Sequence, residues 1–99
     1  MANGVIIPNM NNARIHFEAI SSIKSYVQSL PNSVIDVVMF YAAPSDVPTG
    51  LSNWQYTMVT FKNTGTAQER DYMLLFYPNA TYRGDLNGDT LTWRQITMS

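Results

Sequence analysis

The chain of 99 residues predicts an α+β fold, one amphipathic helix packed on a mainly antiparallel sheet of about five strands. Three observations carry that expectation. Residues 19–30 set apolar side chains on one arc of a 3.6-residue wheel. Later segments alternate or run apolar with β-branched and aromatic residues, and the joints between them hold Pro, Gly and Asn at turn spacing. A chain of this length buries enough surface for one core and too little for two, so one domain is expected over residues 15–99.

Residues 1–14 are rich in Asn and Gly around Val5, Ile6 and Ile7, with Pro8 interrupting them, and read as a linker or a short strand. Residues 14–17 alternate as a strand does, but the period changes after them. In the helical stretch Ala19, Ile20, Ile23, Tyr26, Val27 and Leu30 share one side, and serines, Lys24 and Gln28 the other. Phe17 would sit on the polar side, so the helix is expected to begin near Glu18, whose carboxylate suits the positive end of the dipole. Pro31 stops it. Residues 34–43 are apolar almost throughout and read as a central strand buried on both faces. The prolines of residues 44–50 make a loop long enough to project. Residues 54–62 and 70–77 alternate as two further strands, and Tyr82 with Arg83 forms a short fourth. Asn87 and Gly88 supply the two positive φ angles of a type I′ hairpin turn before the last strand, residues 91–98.

Composition excludes several function classes. The net charge is −1 and the basic residues are scattered, which leaves no footprint for a phosphate backbone, and nucleic acid is not an expected partner. Charged residues are 13% of the chain, against ~25% in an average domain. The surface must then be covered by Asn, Ser, Thr and Gln, which suits an extracellular or virion protein and contacts with carbohydrate. There is no cysteine, so neither disulfides nor a thiolate zinc site is available. The first residues lack the basic and apolar regions of a signal peptide, and no run reaches the ~20 apolar residues that span a bilayer. Synthesis in a cytoplasm, without membrane insertion, is the expectation.

No active site is legible. Asp85, Asn87 and Asp89 open like a calcium loop, but Thr90 stands where glycine makes the sharp turn and Ile96 where a bidentate glutamate is needed. A plain hairpin is the better reading. His16 has no partner placed by sequence and reads as a surface or interface histidine. Asp36, inside an apolar strand, is expected at an edge or interface, paired to Arg, and the other carboxylates show no glycosidase spacing. Asn79 and Thr81 complete a glycosylation sequon that in a bacterial or phage setting is simply a turn. The aromatic residues are core by default, with some free to line a groove where sugar rings stack. Neither a catalytic residue nor a cofactor or metal is expected.

The helix-like Ile20 to Pro31, the strand Asp71-Tyr-Met-Leu-Leu-Phe-Tyr77, the pair Tyr82-Arg83 and the closing Trp93-Arg-Gln-Ile96 together resemble the knob domains that end bacteriophage tail fibres and pyocin-type tail proteins. The resemblance spans roughly residues 20 to 98, with a single tryptophan at the end where many knobs carry two. It implies a non-catalytic, trimeric virion component that attaches to a host-surface glycan or protein. Trp54, Tyr82, Arg83 and Arg94, with Asp46 and Asn53 on the loop, are the expected ligand contacts. The alternative is a phage assembly or decoration protein of capsid or tail, whose aromatic face is a subunit interface.

Overall fold

The computed structural model describes residues 13–65 and 70–97. The elements run β1 (Ala13–Phe17), α1 (Ile23–Ser29), β2 (Ile35–Phe40), β3 (Tyr56–Phe61), β4 (Asp71–Tyr77), β5 (Ala80–Asn87) and β6 (Thr90–Ile96). All six strands form one sheet in chain order. β1 pairs parallel with β2, and every later pair is antiparallel. A parallel pair needs a crossover, and α1 supplies it. The α+β expectation holds, with β1 as the strand added to the five; residues 1–12 of the expected linker lie outside the described residues.

The helix is shorter than its apolar periodicity. It begins at Ile23 because Ser22 takes the extended cap conformation and its hydroxyl accepts from the Ser25 amide at 3.2 Å. Asp46 completes the cap from a distant loop: its carboxylate accepts from the Ile23 and Lys24 amides at 2.7 and 2.9 Å. Glu18, expected at the helix start, instead extends β1, its amide donating to the Met39 carbonyl at 3.1 Å. Loop 41–55 does not project. Pro44 and Pro48 are buried, and Val47 and Leu51 pack against the core.

β2 is buried on one face rather than two: Asp36, Val38 and Phe40 point inward, while Ile35 stays exposed. β5 is a full eight-residue strand, so Asp85 and Leu86 belong to it, and the turn is Gly88 and Asp89 between the paired Asn87 and Thr90. Gly88 has φ +62° and Asp89 is not among the positive-φ residues, which is the φ pattern of a type II′ turn, not type I′.

The covered face of the sheet, under α1 and loop 41–55, carries the core: Ile23 and Val27 of α1 join Val38, Met58, Met73 and Leu75. Phe40 and Tyr56 stack at 5.0 Å between ring centroids. Burial, followed by the neighbouring Tyr77 and Tyr82, pushes the Tyr56 phenol above its ordinary value. Gly84 is where the closing hairpin meets this core, because a Cβ there would stand 2.7 Å from both Met73 Cγ and Trp93 Cζ3. The Trp93 indole, laid over that gap, donates to the Asp46 carbonyl at 2.8 Å. One residue of β6 thereby holds the loop that caps α1.

The charged groups buried on the covered side are matched in sets, whereas the buried Thr60 hydroxyl has no hydrogen-bond partner among the described residues. Lys62 Nζ donates to Asp71 at 3.1 Å and to the Val27 carbonyl, in the last turn of α1, at 2.9 Å. The backbone amide and side chain of Asn63 also donate to Asp71. Asp36, fully buried, faces His16 Nε2 at 2.9 Å and accepts from the Tyr26 hydroxyl at 2.6 Å. His16 Nδ1 in turn lies 3.3 Å from Glu18. Asp36 is therefore an interior residue that fastens β1 and α1 to β2, and His16, far from lacking partners, sits in that network.

Candidate functional site

Strand residues alternate between faces, so the residues that do not enter the core define the opposite side of the sheet. Cross-strand pairing aligns them in rows. One runs Ile15, Val37, Val59, Leu74, Arg83 and Arg94 across all six strands. The next brings Phe17, Met39, Thr57 and Phe76 abreast, and a third holds Ile35, Phe61, Tyr72 and Asp85. No described element covers this face. Ile15 is 76% exposed, Phe17 71%, Tyr72 44% and Phe76 41%.

The face changes character along the rows. From β1 to β4 its described side chains are apolar or uncharged. On β5 and β6 they become Arg83, Asp85, Thr92 and Arg94. Arg83 and Arg94, far apart in sequence, are direct register partners. The Arg83 guanidinium lies over the Tyr72 ring, 4.5 Å from its centroid, and its Nε and Nη2 donate to Asp85 Oδ1 at 3.2 and 3.1 Å. Arg94 Nη2 reaches Asp85 Oδ2 at 3.7 Å. With Arg70 at the rim, these groups line a shallow hollow of about 390 Å³, together with Thr90 and Thr92. Two guanidinium groups, Arg83 and Arg94, share one carboxylate there, on a surface that Tyr72 floors with an aromatic ring. Arginine forks of this kind take carboxylate or phosphate oxygens two at a time.

The six expected ligand contacts do not form one site. Arg83 and Arg94 come together as described. Trp54 is 54% exposed but stands at another corner, beside Gln55, Tyr77 and Pro78, in a hollow of about 300 Å³. Tyr82 points to the covered face and packs against the core. The Asp46 carboxylate is engaged by the start of α1. Asn53 Oδ1 accepts from the Ala43 amide at 2.8 Å, which ties the loop to itself. Sequence reasoning missed Tyr72 and Arg70 as neighbours of the arginine pair. The alternation of residues 70–77 already sets Tyr72, Leu74 and Phe76 on one side, and only the strand pairing shows that side to be open.

Among the described residues no cluster of three or more His, Asp or Glu side chains has a metal-binding arrangement. None of their helices is long and apolar enough to cross a membrane. No family model, curated protein or solved structure matches the chain.

Proposed function

We propose that the chain is a non-catalytic, knob-like domain of a bacteriophage tail fibre, which attaches to an anionic glycan of the host surface through the arginine end of its open face. The observation that supports this reading most is the pairing of Arg83 with Arg94 beside Tyr72, with Asp85 as their shared counter-charge. A sugar ring stacks on an aromatic face while its carboxylate or phosphate takes the guanidinium forks. Both arginines project from the middle of paired strands, so the site is held by the sheet and not by a loop. The resemblance of the closing hairpin to fibre knobs supplies the virion setting.

The test is retention on candidate bacterial cells. Arg83→Ala with Arg94→Ala should abolish most binding, and binding by the unaltered protein should fall as salt rises. Equal retention of the double variant would refute the assignment. A second reading, an assembly or decoration protein of the particle, is favoured by a different observation: the apolar half of the same face.

A further inference from the structure

We infer that the apolar half of the open face, from β1 to β4, is where one copy of this chain packs on another. The inference goes beyond the arginine end and holds whether or not that end binds a glycan. It starts from area. Phe17, Phe61, Tyr72 and Phe76 are all exposed there. At ~200 Å² for an aromatic side chain, four rings about half exposed offer on the order of 400 Å². Ile15 and Ile35, with the half-buried row between them, bring the face toward the ~800 Å² per partner of a standard specific interface. An apolar surface of that extent exceeds what isolated single-chain proteins ordinarily leave in water.

Charge selects the occupant. No described residue of β1 to β4 puts a charged side chain on this face, and the Arg83 guanidinium reaches it at the Tyr72 corner, so a partner with acidic or basic groups away from that corner would have to strip them of water with nothing to pair them. A second copy of the same half brings no such groups. The arginine end, by contrast, repels its own copy, so the two copies cannot overlap over all six strands with each strand on itself. A two-fold axis parallel to the strands, between β2 and β3, meets both conditions and gives a dimer where the resemblance to fibre knobs implies a trimer. It lays β1 over β4 of the other copy and β2 over β3, at the ~10 Å spacing of stacked sheets. Phe17 and Ile15 of either copy then reach Phe76 and Leu74 of the other and Val37 reaches Val59, while Arg94 stays outside the overlap and Arg83, lying over Tyr72, stands at its rim. The patch is self-complementary, as an isologous contact requires.

Light scattering of size-separated protein across the micromolar range tests this, with cell retention measured on the same samples. The unaltered protein should have at least twice the chain mass of 11.2 kDa. Ile15→Lys with Phe17→Lys, on the exposed edge strand, should weaken association by at least ~30-fold. Phe76→Lys, on a central strand, should do the same and guards against a local loosening of β1. Ser25→Lys on α1 should leave the mass as it was, and circular dichroism should be unchanged throughout. A monomeric unaltered protein would overturn the inference, and so would an oligomer indifferent to both face variants. Because cell retention reads the arginine end, failure there leaves the mass result standing, and the reverse.

Discussion

Asp71 and Tyr72 are adjacent in the chain and opposite in every other respect. The Asp71 carboxylate points into the covered side, where Lys62 and Asn63 saturate it and Lys62 continues to the last turn of α1. The Tyr72 ring points to the open side, among other exposed rings and under the Arg83 guanidinium. The difference recurs along each strand. Inward residues pack or pair within the chain, the Thr60 hydroxyl lacking a hydrogen bond among them, and outward ones form a continuous surface that no described element covers. It follows that stability and interaction are separable in this domain, since strand alternation assigns them to opposite faces.

The largest expected effect is Asp71→Ala, which leaves the buried Lys62 ammonium without its counter-ion and should cost ~3–5 kcal/mol in denaturant unfolding. Its neighbour provides the contrast: Tyr72→Ser, measured at a protein concentration low enough to keep copies apart, should cost no more than ~1–2 kcal/mol, for a half-exposed ring and its contact with Arg83. Comparable losses from the two would erase the distinction between the faces. Gly84→Ala should cost ~1–3 kcal/mol, because the new methyl meets Met73 and the Trp93 ring at 2.7 Å and the ring cannot shift without releasing Asp46. Thermal unfolding reads this directly. Asp46→Ala should cost ~1 kcal/mol through the α1 cap, seen as lost helical ellipticity.

A pH effect sharpens the same comparison. The Tyr56 phenol is held above its ordinary value by burial and by Tyr77 and Tyr82. In the unfolded chain a tyrosine ionises near pH ~10, whereas the folded chain still holds this proton. The contribution of Tyr56 is therefore complete below pH ~10 and is lost as pH climbs through the raised folded value. Tyr56→Phe should flatten the alkaline limb of the stability curve, at the cost of about 1 kcal/mol for the hydrogen bond its hydroxyl donates to the Ser52 carbonyl.

Much of this architecture was legible in the residues. Period-two alternation located β3 and β4 and sorted their side chains correctly, and the apolar arc from Ile20 to Leu30 located α1. What failed has long-range causes. The start of α1 is set by the Ser22 cap together with Asp46, 23 residues beyond Ile23 in sequence, and no local pattern announces the second contact. β1 is short, and among the described residues it pairs only with β2, across the helix, so the helical period after it outweighs its alternation. The run in β2 looked doubly buried because Ile35, Val37 and Met39 are as apolar as the inward residues. An apolar residue on an open face gives the same letters as one in a core. For the site, sequence singled out Arg83 and Arg94, but register made them neighbours, and it sent Tyr82, Asp46 and Asn53 to structural roles.

The separation of the two faces is tested most directly by urea unfolding of the unaltered protein and of Ile15→Lys with Phe17→Lys, each at a low and a high protein concentration. If the open face is covered by another copy, the midpoint of the unaltered protein rises with concentration, while that of the variant does not, and the two coincide at the low concentration. A midpoint independent of concentration in both, or a variant already less stable at the low concentration, would contradict the account.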